Sequence, residues 1–512
     1  MSTSRRRFLG GLAGVGIAAC IPPLADAKSE NEVFAQGVAS GDPLTDRVIL
    51  WTRVLPPARH ATTAVHWSIA RDPEMRDEVN KGVFHTSSDR DFTVKVDAIG
   101  LLPGTTYYYQ FRYLGADSPV GRTRTLPLGS PARLRFAVAS CSNFPRGFFN
   151  AYRAIANRSN LDFVIHLGDY IYEYANGTSG DGTAFGRVPA PNKEIVALSD
   201  YRMRYAQYRS DSDLQACHAA HPFIVVWDDH EVANDGWTDG AENHNPGEGA
   251  YSVRKAAAQQ AWTEWMPVRE TQAELDGQIY RSFRFGDLMD LAMLDTRHVG
   301  RNLQVAPNDP AIADPNRTLL GFPQEAWLYE QMSASKGAGT LWRFVGQQVM
   351  MGQLFQPTGA PFNPDQWDGY LASRNRFLGH LLTNGVGNVV VLSGDIHSSW
   401  GNDITFNPFN PALYNPATGT GSVAVEFVGP GITSPAIEDP VIAAGLRAQV
   451  LATHPHVKHV DLFRRGYLVI DVDRTRVRGE FYHPVTITAP NPAETFGGAL
   501  EALSGSNHLT LA

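Results

Sequence analysis

The sequence predicts an α/β protein: a large domain of buried strands flanked by helices, behind a small all-strand sandwich domain. Length gives the first reason, since 512 residues exceed what one hydrophobic core organises. Patterning gives the other two. Residues 30–130 consist of β-branched and aromatic runs cut by Gly, Pro and Asp, which marks strands joined by turns. From residue 131 onward, short apolar runs alternate with helical stretches, which suits strands covered on both faces. An apolar content of 43% and a charged content of 19% fit a folded globular chain. The net charge of −8 supplies no basic footprint, so no nucleic-acid-specific binding is expected. An anionic ligand would therefore depend on local cations, and metal ions are the most compact kind.

Taken in order, residues 1–27 read as a twin-arginine signal peptide. Ser4-Arg5-Arg6-Arg7-Phe8-Leu9 precedes a small apolar run from Gly10 to Ala19, and Ala25-Asp26-Ala27 offers a cleavage site. Cleavage there removes three Arg and one Asp and takes the net charge from −8 to −10. The signal implies the twin-arginine translocation machinery as a partner and a periplasmic or secreted location. Ile17-Ala18-Ala19-Cys20 is an alternative box that would leave Cys20 as a lipid anchor. No later stretch holds the ~18 apolar residues a membrane helix needs, so no transmembrane segment is expected in the mature protein.

Residues 30–130 form the N-terminal domain, with strands over Val48–Arg53, Ala64–Ile69 and Tyr107–Arg112. The Leu102-Pro103-Gly104-Thr105 turn ahead of three tyrosines resembles fibronectin type III-like β-sandwiches. No titratable cluster suited to catalysis lies here, so the domain reads as structural or positioning. Residues 131–485 form the second, larger domain. Its strands are Phe136–Ala139, Phe163–Leu167, Phe223–Trp227, Leu291–Leu294 and Val389–Leu392, with Val423–Phe427 and Tyr467–Val472 as a second, antiparallel set. The proline-rich stretch 299–325 reads as a long loop. Residues 486–512 read as a C-terminal tail with a short helix near Thr495–Leu503, or alternatively as part of the larger domain.

Four of the apolar runs end in polar residues. Ser140-Cys141-Ser142-Asn143 follows the first, Gly168-Asp169-Tyr170-Ile171-Tyr172-Glu173 the second, Asp228-Asp229-His230-Glu231 the third and Gly394-Asp395-Ile396-His397 the fourth. In open α/β sheets, functional groups gather beyond the carboxyl ends of the strands. Each segment alone is ordinary: Gly-Asp is a common turn, and a lone Cys is a small buried hydrophobe. Together they deliver Cys141, Asp169, Tyr172, Asp229, Asp395 and His397 to one edge as candidate metal ligands. The donors are mostly hard and anionic, which favours a hard ion over zinc with its tetrahedral N/S ligation. Cys217 reads as core. A Cys141–Cys217 disulfide is the alternative for an exported chain.

These four segments resemble those of the calcineurin-like metallophosphoesterase superfamily, and more closely those of the PhoD-type alkaline phosphatases. Gly37-Val38-Ala39-Ser40-Gly41-Asp42-Pro43, Leu50-Trp51-Thr52-Arg53, Trp265-Met266-Pro267-Val268-Arg269, Leu294-Asp295-Thr296-Arg297 and Asp365-Gln366-Trp367-Asp368-Gly369-Tyr370 are similar to further motifs of that family. The resemblance implies a metallophosphoesterase β-sandwich flanked by helices, acting on a small phosphorylated substrate. It also implies a ferric ion, Fe(3+), on Cys141, Asp169, Tyr172 and His397. Calcium, Ca(2+), would lie on Asp229 and Asp395 with Asn234 or Asn143, and Asp169 would bridge the two ions. Hydrolysis of phosphate monoesters, and of some diesters, would then proceed by metal-activated hydroxide. His230 stands like the superfamily histidine that contacts phosphate or protonates the leaving group. Asn234 and Arg297 are candidate substrate contacts, and Asp295 is either a calcium ligand or a partner orienting Arg297. Two other readings remain: a phosphodiesterase or phospholipase D-like enzyme, and a non-catalytic exported binding protein. His454-Pro455-His456-x-x-His459 reads as surface or supporting structure, not as a ligand set.

Overall fold

A computed structural model describes residues 33–56, 62–270 and 277–512. The signal-peptide and Cys20 expectations lie outside the described residues.

Two mixed sheets packed face to face build the main body. The larger has ten strands, with Arg133–Ala139, Phe163–His166 and Pro222–Val225 running parallel at its centre. The second has seven, with Met289–Met293, Trp342–Gly346, Val389–Ser393 and Ser422–Val428 in parallel. Every residue of the central strands Phe163–His166 and Val389–Ser393 is buried, which explains their unbroken apolar runs. The inner faces meet through aromatic rings: Phe163 stacks on Phe285 at 4.8 Å and Phe136 meets Phe344 edge-on at 5.8 Å. Helices Leu198–Tyr208 and Tyr251–Trp265 contribute Tyr201, Tyr205 and Trp262 to the larger sheet's core. Phe322–Gly337 and Leu371–Thr383 cover the second sheet.

The N-terminal segment is not a self-contained sandwich. Its strands Val38–Gly41, Arg47–Arg53 and Thr93–Ile99 extend the ten-stranded sheet, because Val38–Gly41 pairs in parallel with Pro222–Val225. The remaining strands form a five-stranded antiparallel sheet whose Val65, Ile69, Tyr109 and Phe111 pack on Val48, Leu50, Val94 and Val96. The layer that closes this sandwich is thus an extension of the main sheet.

The helix expected near Thr495–Leu503 is corrected to a strand. Glu494–Leu503 pairs antiparallel with Arg476–Pro484 and carries Leu500 and Ala502 into the core. Cross-strand pairing decides the conformation there, since the Gly- and Ala-rich segment has weak local preference. Tyr467–Asp473 does run antiparallel, against Arg133–Ala139. Ser422–Val428 instead runs parallel to Val389–Ser393, and antiparallel to Ser399–Thr405. Among the described residues, no helix is long and apolar enough to cross a membrane.

Candidate metal centre

The chain turns sharply where each central strand ends. Cys141, Asp169, Asp395 and His397 all hold left-handed backbone, with φ of 62°, 55°, 60° and 57°. Non-glycine residues adopt this at a cost of about 1–3 kcal/mol each, so the surrounding structure enforces it. Gly168 and Gly394 permit the close approach. A Cβ on Gly168 would lie 2.4 Å from the backbone nitrogen of Asp228, and one on Gly394 2.7 Å from Ser140 Oγ. Glu231 ties two of the turns together. Its buried carboxylate accepts the backbone N–H of Asp228 at 2.7 Å and of Asp169 at 3.0 Å, and also that of Tyr170.

The result is one buried cluster. Three overlapping groups have ligand atoms within 4.8 Å of one another: Cys141, Asp169 and His397; Asp169, Asp229 and His230; Asp228, Asp229 and Asp395. Tyr172 joins the first group, its hydroxyl 2.8 Å from Asp169 Oδ2, 3.2 Å from His397 Nε2 and 2.6 Å from Ser434 Oγ. All six residues expected as ligands therefore meet in one place. Asp169 and Asp229 are each shared between groups.

Arg297 is completely buried. It donates from Nε to Asp228 at 2.5 Å, from Nη1 to Asp365 at 2.7 Å and from Nη2 to Asp395 at 2.5 Å, with Asp229 Oδ1 at 3.5 Å. Its guanidinium is thus committed to carboxylates. Asp295 accepts the backbone N–H groups of Arg297 and His298, which shapes the turn that presents this arginine. His230 Nδ1 lies 2.7 Å from the buried Glu173 carboxylate, and its ring sits 4.2 Å from that of Tyr172. Asn234 lies at the rim. Its backbone N–H bonds Glu173 at 2.8 Å, while its amide donates to Glu242 at 3.2 Å. Asn143 donates to Ser179 Oγ at 2.8 Å.

The electrostatics of the cluster favour a cation. Burial, then the neighbouring Asp169 charge, pushes both the Cys141 thiol and the Tyr172 phenol well above their usual values. Burial raises Asp228 despite Arg297, and burial with Asp365 and Asp229 nearby raises Asp395 to about 6 against the pull of Arg297. Asp229 goes the other way: burial opposes its ionisation, but Arg297 and His230 outweigh it. His230 is raised, because Glu173, Asp169 and Asp229 together outweigh its burial. Asp169 Oδ1 and Asp228 Oδ2 are buried without a hydrogen-bond partner. Buried carboxylate oxygens left unpaired are costly, so the donor set fits bound cations.

Several participants were present in the sequence motifs without an assigned role. Glu173 and Glu231 sit in two of the quoted segments, and Asp365 and Gln366 in a third. Gln366 donates to Asp395 Oδ2. Ser434 carried no sequence signal. Cys141 and Cys217 are both free and buried. His456 is buried with neither ring nitrogen paired, but the His454–His459 segment contributes to no group of three ligands among the described residues.

A strand-end cluster of this composition on paired mixed sheets defines a class, and family comparison agrees. The model of the PhoD-like phosphatase family matches residues 136–481, and that of its N-terminal domain matches residues 19–127. The chain belongs to the PhoD-like phosphatase family and is a hydrolase of phosphate esters. It is 36% identical to alkaline phosphatase D of Bacillus subtilis (strain 168) over 96% of this chain and 86% of that protein. It also superposes on a solved PhoD structure with a TM-score of 0.86 and 34% identity, covering 96% of this chain and 93% of that one.

Proposed function

We propose that the chain is an exported, metal-dependent phosphomonoesterase of the alkaline phosphatase type. The observation that carries this reading is the convergence of three ligand groups on shared Asp169 and Asp229, beside His230 and Arg297. Cys141, Asp169, Tyr172 and His397 would hold iron, and Asp229 and Asp395 would hold calcium. Asp228 belongs with the calcium group by proximity. The two ions would supply charge neutralisation for the phosphoryl oxygens and an acidified water.

The remaining work falls to side chains. Glu173 takes the Nδ1 side of His230, which leaves Nε2 to face the substrate and give its proton to the departing oxygen. Arg297 holds Asp228, Asp365 and Asp395 in one arrangement, and so orients the ligand cluster more than it grips substrate. Asn234, whose amide donates to Glu242 at the rim, would contact the substrate from there. Export through the twin-arginine route to the periplasm or medium rests on the signal at residues 1–27.

The test is the ratio of kcat/KM for an aryl phosphate monoester over the matching bis-aryl diester, measured at alkaline pH with calcium. A ratio well above one supports the monoesterase. A ratio well below one reassigns the same centre to diester cleavage.

A further inference from the structure

Residues 429–435 read Gly-Pro-Gly-Ile-Thr-Ser-Pro and contain no His, Cys, Asp or Glu. They follow the strand Ser422–Val428, and they touch three of the four residues proposed to hold iron. The backbone N–H groups of Ser434 and Thr433 bond the Cys141 carbonyl at 3.2 and 3.3 Å, and that of Ile432 bonds the Ser140 carbonyl at 3.0 Å. The Pro435 carbonyl accepts from His397 Nδ1 at 3.0 Å, which leaves Nε2 facing Tyr172 and Asp169. Ser434 Oγ lies 2.6 Å from the Tyr172 hydroxyl oxygen.

The loop has little freedom to change these contacts. Its Gly429 N–H bonds the Ser393 carbonyl at 2.9 Å, the Gly466 N–H bonds the Gly431 carbonyl at 3.0 Å, and Thr433 Oγ1 donates to the Asn143 carbonyl at 2.7 Å. Glycine at 431 permits the approach, since a Cβ there would lie 3.0 Å from the Ser434 carbonyl oxygen and 3.3 Å from Cys141 Cβ. Ile432, Thr433 and Ser434 are fully buried, so the Ser434 hydroxyl cannot turn to water. Among the described residues, Tyr172 is the only hydrogen-bond partner of that hydroxyl. Asp169 Oδ2, at 2.8 Å, and His397 Nε2, at 3.2 Å, are both acceptors for the one proton Tyr172 carries. Ser434 is therefore left to donate to the phenol oxygen.

We infer that Ser434 is a positioning residue that donates its hydroxyl proton to the Tyr172 oxygen when that oxygen binds iron, and so moderates how strongly the phenolate donates to the ion. This rests on the proposed iron ligand set and adds an electronic control to it. A hydrogen bond to an ionised oxygen is roughly twice as strong as one between neutral groups. Partners of this kind orient metal ligands and set metal affinity. A phenolate relieved of the bond is a stronger donor, so its charge-transfer band with ferric iron moves to lower energy.

The experiment compares visible absorption spectra and iron content of native-purified wild type, Ser434→Ala and Ser434→Thr. Wild type should show a phenolate-to-iron band that Tyr172→Phe abolishes. Ser434→Ala should move that band to longer wavelength and hold iron about 10–100-fold less tightly against a chelator. Ser434→Thr keeps the hydroxyl and should keep both properties at their wild-type values. A Ser434→Ala band at the wild-type wavelength would overturn the inference and leave the ligand set intact. If Ser434→Ala purifies without iron, Ser434→Thr decides: iron and the band retained there support the hydroxyl's part, and their loss in both variants rejects it. A wild type without iron, or with iron and no such band, refutes the ligand set itself, and Ser434 loses its role with it.

Discussion

Asp169 carries the densest set of demands on any single residue. Its backbone N–H is held by Glu231, its Oδ2 accepts the Tyr172 hydroxyl, and its Oδ1 is buried with no partner. A side chain in that position has an interaction still to make. If that interaction is with iron shared by Cys141 and Tyr172, Cys141→Ala and Tyr172→Phe should both purify with little iron and little activity. Normal iron content in both variants would remove them from the ligand set. His230→Ala should keep its metals and lose about 10²–10⁴-fold in turnover, the usual contribution of a general acid. An unchanged rate would end that assignment. Glu173→Gln should follow His230→Ala in direction, because the carboxylate orients the ring and touches no reacting atom. The convergence of the six candidate ligands was legible because each lies within six residues of the end of an apolar strand. The functions of Glu231 and Glu173 were not, since their partners lie 62 and 57 residues away and only folding brings them together.

At the scale of elements, long-range carboxylates also hold the loops around the site. Residues 299–325 look structureless in sequence, yet Glu325 secures their end. It accepts from Thr318 Oγ1 and Ser373 Oγ at 2.6 Å each, and from Arg376 Nη2 at 2.7 Å. Burial opposes its ionisation, but the hydrogen bonds from Arg376, Ser373 and Thr318 win and hold its carboxyl below the ordinary glutamate value. A depressed folded pKa contributes stability above the unfolded value of about 4.3, which is lost as pH falls through the folded value. Glu325→Gln should therefore cost about 1–3 kcal/mol at neutral pH, and the deficit should shrink below pH ~4. Thermal melts across that range check this, and a deficit constant down to pH ~3 would contradict it. The misread Thr495–Leu503 segment teaches the converse. Local preference was weak there, and a strand partner encoded at Arg476–Pro484 settled the conformation.

Across the whole molecule, the division into a strand-rich first part and an α/β second part was legible from pattern alone. Pairing between the two parts was not, because hydrophobic periodicity says nothing about which strand lies beside which. Val38–Gly41 inserts between Arg47–Arg53 and Pro222–Val225, so the first segment completes the sheet that carries Asp228 and Asp229. Asp42 extends the tie, its carboxylate bonding Arg281 at 2.6 Å and the backbone of Arg269 at 2.9 Å. A chain comprising residues 131–512 alone should consequently expose the edge of Pro222–Val225 and aggregate. Soluble, active protein from that fragment would mean the first segment is dispensable to the fold.

If the buried acidic cluster is a metal centre that hydrolyses phosphate esters, metal content and turnover must rise and fall together. Native-purified protein should be analysed for iron and calcium while its aryl phosphate turnover is followed through chelation and metal return. Iron close to stoichiometric with the chain is expected, with loss of turnover when both metals are stripped and recovery when both are restored. Full turnover in protein shown to contain neither metal would contradict it.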